Sequence, residues 1–252
     1  MIIIDKNKCI GCSLCVKDCV AFDLKVKNGK AVAANKSCIQ CGHCEAICPK
    51  GAITITGFHD KTIEMEQVRL NPKEYLESIQ TRRTVRQFTS QSIPQEVIDM
   101  ILEAGRLAPT GGNGQGTSYI ILDQKKEVCE QIAVQMFRKG INLGKRLIAF
   151  LSNMEIDDHF FFKKAPLVIL IMGKDKVSAS LAAQNMATMA EANGLGVLFS
   201  GFFTTSVNLS KKIKKELGIS RKEKAVTTLV IGYPAVKYNR TVHRKDIKVR
   251  VC

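Results

Sequence analysis

The chain has 252 residues, with 38 lysines and arginines against 23 aspartates and glutamates, giving a formal net charge of +15. No apolar run reaches the roughly 20 residues of a membrane-spanning helix, and Met1–Ile4 is apolar for only four residues before Asp5, so neither a membrane partner nor a secretory leader is expected. The basic excess peaks in residues 205–252, where thirteen lysines and arginines face only Glu216, Glu223 and Asp246. No aromatic interleaving or binding motif accompanies it, so nucleic acid is not an expected partner.

In chain order the first feature is a repeat: Cys9-x2-Cys12-x2-Cys15-x3-Cys19, then Cys38-x2-Cys41-x2-Cys44-x3-Cys48-Pro49. Three thiolates two residues apart can wrap one iron–sulfur cube, while the fourth is directed to the other cube. This is the ligand spacing of a ferredoxin with two [4Fe–4S] clusters. It assigns Cys9, Cys12, Cys15 and Cys48 to one cluster, and Cys38, Cys41, Cys44 and Cys19 to the other. Zinc sites use a longer spacer between two pairs, and disulfides need an oxidising compartment. Asn28-Gly29 marks a tight hairpin between the repeats. Val20 stands where such runs often carry proline, which removes no ligand. His43 is read as a neighbour that modulates potential, Cys129 as a packed thiol and Cys252 as a terminal one. The expected organisation is a two-cluster domain over 1–58, with strands near Met1–Ile4 and Ala52–Thr56, a linker over 59–71 and a larger domain over 72–252. A cytoplasmic location is expected, and exposed low-potential clusters point to an anaerobic or reducing cell.

Further along, Pro72 suits the first turn of a helix carrying Tyr75, Leu76 and Ile79. Ser92-x-x-Gln95 resembles a capping box before the stripe Val97, Ile98, Ile101, Leu102, Gly105. A short strand is expected over Ser118–Leu122, and a helix over Glu127–Ser152 broken near Gly140 and Gly144. Leu167–Met172 reads as a strand buried on both faces. An Ala- and Met-rich helix over Val177–Asn193 stops at Asn193-Gly194, and its small residues imply close helix packing. Strands near Val197–Phe199 and Val226–Ile231 flank a helix in which Lys211, Lys212, Lys214 and Lys215 form the solvated face. Gly232–Cys252 reads as an irregular arm. Periodicity alone leaves α+β and α/β both open.

Three segments of this larger domain resemble the FMN-dependent nitroreductase family. Arg82-Arg83-Thr84-Val85-Arg86-Gln87-Phe88 is similar to the family's opening Arg-Arg-Ser-x-Arg-x-Phe, and its guanidinium groups suit an anion. Ala108-Pro109-Thr110-Gly111-Gly112-Asn113-Gly114-Gln115 resembles the Pro-Ser-x-x-Asn-x-Gln turn; Gly116-Thr117 then replaces the frequent Pro-Trp. Gly194-Leu195-Gly196-Val197-Leu198-Phe199-Ser200-Gly201 is similar to the Gly-Leu-Gly…Gly stretch, with Ser200 where some members carry a carboxylate. The resemblance implies an α+β fold, a helix-flanked central sheet preceded by the small ferredoxin-like domain. It also implies a homodimer with exchanged arms and FMN at the interface.

For this sequence, the implied flavin contacts are Arg82, Arg83, Thr84, Arg86, Pro109, Thr110, Gly111, Asn113, Leu198, Ser200 and Gly201. Arg244, and then Arg240, are the residues expected to grip the FMN phosphate. No side chain is required as a catalytic nucleophile, because a bound flavin supplies the chemistry. The expected activity passes electrons from the clusters to FMN and on to a nitroaromatic, quinone or activated alkene, with an acidic carrier such as ferredoxin as partner. The competing readings are an NAD(P)H-oxidising flavoprotein that exports electrons through its clusters, and a non-catalytic carrier or sensor. His159 and Phe160–Phe162 are read as packing more than as pocket.

Overall fold

The computed structural model describes residues 1–60, 62–64, 66, 68–144 and 155–252. It divides into two compact units: Met1–Arg69 together with Thr110–Gly114, and Leu70–Pro109 together with Gln115–Cys252.

In the first unit, β1 (Ile2–Ile4) pairs antiparallel with β4 (Ile53–Ile55), Ile2 lying opposite Ile55. β2 (Leu24–Lys27) and β3 (Lys30–Ala33) form a hairpin. Its turn residues Asn28 and Gly29 both take positive φ, 52° and 69°, as an Asn-Gly turn requires. Each cysteine run feeds a one-turn helix, α1 (Leu14–Lys17) or α2 (His43–Ala46). Gly11 has φ 69°, and a Cβ there would lie 2.1 Å from the Gly29 carbonyl oxygen. The first run therefore passes directly against the hairpin turn, and only glycine fits. The second run has Gln40 at the same place, with φ 54° and its side-chain amide donating to the Thr56 carbonyl at 3.2 Å. Cys9, Cys15 and Cys44 join Ile2, Leu24, Ala31, Ala52, Ile53 and Ile55 in the buried centre. So small an apolar core depends on whatever its thiols hold.

The second unit is built on an antiparallel sheet in the order β5 (Ser118–Ile121), β6 (Leu167–Met172), β8 (Ala225–Gly232), β7 (Gly196–Phe199). Because its strands run antiparallel and its helices lie outside it, the architecture is α+β. Along β6, Leu167, Ile169 and Ile171 pack with α4 (Gln95–Arg106) and α6 (Lys176–Ala192), while Val168, Leu170 and Met172 pack on the other face. That other face is covered by α5 (Lys126–Gly144), α7 (Gly201–Leu209) and α8 (Lys211–Glu216). Two covered faces explain why β6 is apolar at every position. The part of the expected helix beyond Gly144, up to Ser152, falls outside the described residues.

Local capping follows side-chain chemistry with two departures from the sequence reading. As expected of Asx caps, Asn71 accepts from the amides of Lys73 and Glu74 at the start of α3 (Pro72–Thr81), and Asp175 does the same for Val177 and Ser178 in α6. Ser92, however, does not cap this helix: α4 starts at Gln95 behind Pro94, whose extended backbone (φ −57°, ψ 142°) leaves Ser92 upstream of the cap position. Gln95 donates instead to Asp99 at 2.8 Å. Lys214 is the second departure. It is buried, and its ammonium donates to the carbonyls of Ser220 (3.4 Å), Arg221 (3.3 Å) and Glu223 (2.6 Å), tying down the loop before β8. Lys214→Met is expected to leave these carbonyls without that donor and destabilise the unit by about 1–3 kcal/mol, read as a lower thermal unfolding midpoint. Lys212→Met should leave the midpoint near wild type.

Candidate functional site

The eight repeat cysteines line two separate cavities. Cys9, Cys12, Cys15 and Cys48 border one of about 360 Å³; Cys19, Cys38, Cys41 and Cys44 border another of about 300 Å³. The fold thus groups each trio with the distant fourth cysteine of the other run. It does so because β1 pairs with β4 and α1 packs on α2, bringing the end of each run beside the start of the other. Backbone amides point at the sulfurs: Ala31 to Cys9 at 3.3 Å, Gln40 to Cys38 at 3.4 Å and Ala52 to Cys48 at 3.3 Å. Such N–H···S contacts stabilise anionic sulfur. The Ala31 and Gly11 amides accordingly draw the Cys9 thiol below its usual value. Burial acts the opposite way on Cys15, and raises Cys44 to about 11, with neighbouring thiols adding to it. Loading these sites must therefore release protons.

In the second unit, the segment after α3 runs along the outer edge of β7. Thr84 forms a parallel bridge to Val197, and the Val85 amide donates to the Val197 carbonyl at 3.1 Å. Gly196 makes this approach possible, since a Cβ there would lie 2.5 Å from Val85 Cγ2. Further on, Phe88 bridges Pro234, with the Thr89 amide on the Tyr233 carbonyl at 2.9 Å. The edge pairing places Thr84 and Val85 beside Gly196 and Val197, with Arg82 and Arg83 immediately before them. Ser200 is buried and immediately precedes α7. The C-terminal arm joins them: Arg83 Nη2 donates to the Arg240 carbonyl at 3.3 Å, and the Tyr238 hydroxyl to the Thr84 carbonyl at 3.2 Å. Arg83 Nη1 also donates to the Gln80 carbonyl at 2.9 Å. Arg82 Nη1 lies 3.7 Å from Glu191 Oε1, too far for a hydrogen bond. Arg82 Nη1 and Arg83 Nε are buried with no hydrogen-bond partner. Arg86 and Arg244 are exposed, Arg86 donating to the Thr84 carbonyl at 3.4 Å.

The glycine-rich turn is divided between the units, Pro109 in the second and Thr110–Gly114 in the first. Asn113, at φ 54°, donates through its side-chain amide to the carbonyls of Ile39 (3.1 Å) and Gln40 (2.9 Å). Its amide is thus engaged with the cysteine turn immediately before Cys41.

Residues 79–233 match the model of the nitroreductase family, and residues 1–49 match that of the 4Fe-4S dicluster domain. The chain belongs to the nitroreductase family. It is 26% identical over 193 residues to rat iodotyrosine deiodinase 1, covering 68% of this chain and 65% of that protein. The mouse protein matches to the same extent, so the match spans about 65% of the length of both. Among solved structures, an FMN-dependent nitroreductase from Clostridium difficile superposes with TM-score 0.56 at 20% identity, over 72% of this chain and all of that one. A nitroreductase with bound FMN from Bacteroides fragilis gives 0.52 at 21% identity, over 70% and 98%. These structural likenesses show a shared fold.

Within this family member, several residues that build the site escaped sequence reasoning. Glu191 lies at the end of α6 and Tyr238 in the arm, and no spacing rule links either to Arg82 or Thr84. Burial raises the Glu191 carboxyl and Arg82 lowers it. Asp23 had no motif. It is buried and accepts from the amides of Asn35 (2.7 Å), Lys36 (2.9 Å) and Ser37 (3.0 Å), fastening the approach to Cys38. These bonds, Ser37's foremost, hold its carboxyl below the usual range. A carboxyl depressed in the folded state contributes fully above the unfolded pKa, about 3.9, and less as pH falls toward the folded value. Asp23→Asn is expected to speed hydrogen exchange at Asn35–Ser37 at neutral pH. It should also remove most of the further acceleration that wild type shows below about pH 4, after correction for intrinsic rates.

Proposed function

We propose that this chain is a flavin-dependent oxidoreductase in which two [4Fe–4S] clusters supply electrons to FMN for reduction of a small organic acceptor, such as a nitroaromatic, quinone or activated alkene. The observation that carries this reading is a pair of buried guanidinium nitrogens without a hydrogen bond, Arg83 Nε and Arg82 Nη1, the latter facing only the Glu191 carboxylate at 3.7 Å. They stand where the β7 edge and the arm meet the Arg82–Phe88 and Gly194–Gly201 segments. A buried guanidinium nitrogen without an acceptor costs free energy unless an anion completes it, and a phosphate fits. Arg240, tied to Arg83 through its carbonyl, and Arg244, four residues along the arm, are the further cations for that phosphate.

At the other end of the site, the first amides of α7 have no acceptor inside the helix. Ser200 does not cap them with its side chain, which leaves the Gly201 end suited to ring oxygen or nitrogen. Bound FMN would supply hydride transfer, so the residues need only bind, orient and exclude water. One electron from each cluster matches the two that a hydride carries. Within the first unit, Asn113 holds the Thr110–Gly114 turn on the Ile39–Gln40 carbonyls.

A homodimer completes the reading, with residues 59–71 as linker between the domains. α3 buries none of its residues while exposing Tyr75, Leu76 and Ile79, and the arm exposes Ile247, Val249 and Val251. A second copy would cover both. Among the described residues no helix is long and apolar enough to cross a membrane, and eight thiol ligands favour the reducing cytoplasm.

Arg82→Ala combined with Arg244→Ala is expected to weaken FMN binding about 10- to 100-fold, by loss of charge-assisted hydrogen bonds, while iron content stays at wild-type level. Full flavin occupancy in that variant would refute the phosphate assignment. In anaerobic absorbance measurements on the wild type, a reduced ferredoxin is expected to reduce the clusters and then bleach the flavin. A nitroaromatic or quinone should restore the flavin. Rapid bleaching by NADH with no response to ferredoxin would reverse the proposed direction of flow.

A further inference from the structure

The two cluster cavities are alike in ligands and unlike in surroundings. Around the cavity of Cys9, Cys12, Cys15 and Cys48 the charge is positive. Lys30 Nζ donates to the Cys9 carbonyl at 2.6 Å, and Lys6 Nζ donates to the Ala31 carbonyl, on the residue whose own amide bonds the Cys9 sulfur. Lys50 lines the cavity, and Lys8 is exposed beside Cys9. Asp5, four residues before Cys9, accepts from the amides of Asn7 and Lys8. Cys12 is exposed, so this cluster would come closest to solvent on a face that carries these lysines. The lining of the other cavity contains no lysine or arginine. Beside it stands the pair His43 and Asp18, 3.2 Å apart.

We propose that the Cys9–Cys12–Cys15–Cys48 cluster is the intake of the chain, and that Lys6, Lys8, Lys30 and Lys50 form the docking surface for an acidic one-electron carrier protein. A cationic face beside a solvent-facing cluster steers an acidic partner by long-range attraction and sets the approach over Cys12. Each encounter moves one electron: the carrier is oxidised by one, the cluster is reduced by one, and no bond or proton changes place. The inference relocates the partner surface from the lysine-rich helix α8 to the surface around the exposed Cys12. It rests on the reading that the clusters are the electron supply. Cluster absorbance would report docking even in a chain that binds no FMN, so the two readings fail separately.

The test is stopped-flow reduction of the whole protein by a dithionite-reduced, acidic two-[4Fe–4S] ferredoxin, followed at the cluster absorbance. The wild-type second-order rate is expected to fall about tenfold or more between roughly 0.05 M and 0.5 M salt. Lys8→Glu with Lys50→Glu should lower the low-salt rate about tenfold and converge on wild type at high salt. Lys211→Glu with Lys212→Glu should stay within about twofold. Iron content checks that the clusters survive. If the glutamate pair loses iron, Lys8→Gln with Lys50→Gln decides the matter, with an expected drop of about threefold. A wild-type rate indifferent to salt would overturn the proposal, as would a loss confined to the α8 variant.

Discussion

The backbone pairing of Thr84 and Val85 with Val197 is the contact on which the geometry of the larger unit's site depends. Arg82 and Arg83 come from the end of one helix, Val197 and Leu198 from a strand more than a hundred residues later, and Arg240 from the arm. A single edge pairing, admitted by the missing side chain of Gly196, sets the first two groups side by side. The Phe88–Pro234 bridge and the Tyr238–Thr84 hydrogen bond then lead the arm back over the same edge. Hydrogen bonds between extended segments are directional and spaced by the pleat, so these residues are held in register by backbone alone.

A different constraint governs the small unit. Its apolar core is slight, and its two cavities each recruit a cysteine from the far end of the other repeat. That crossover makes the repeats interdependent: neither four-cysteine site closes unless β1 meets β4. The amides of Ala31, Gln40 and Ala52 then face sulfur rather than a carbonyl. Asp23 and Asn113 act on this frame from outside the motif, one by satisfying the amides that approach Cys38, the other by holding the carbonyls that approach Cys41. Polar side chains thus fix the backbone at turns where glycine-like dihedrals leave it without ladder partners.

The sheet of the larger unit explains why its edge can carry a site. With β6 and the middle of β8 covered on both faces, the centre is a closed apolar layer that offers little room for a ligand. Chemistry-bearing side chains therefore collect at the edge beyond β7 and at the start of α7.

Sequence by itself determined the two cysteine runs with their pairing, the Asn28-Gly29 hairpin, the doubly buried β6, and membership of a nitroreductase-type fold through its ordered motifs. These are legible because ligand spacing, turn dihedrals and side-chain periodicity are local properties of the chain. Only the tertiary structure decided that the sheet is antiparallel, that Pro94 displaces Ser92 from the cap of α4, and that Lys214 turns inward to carbonyls of the following loop. It alone paired Arg82 with Glu191, Arg83 with the Arg240 carbonyl and Asn113 with Ile39 and Gln40. It also put Lys50 in the lining of one of two cavities that share the same ligand pattern, and no lysine or arginine in that of the other. Those outcomes depend on which distant segments meet, and long-range contact is not encoded in the spacing of any single segment.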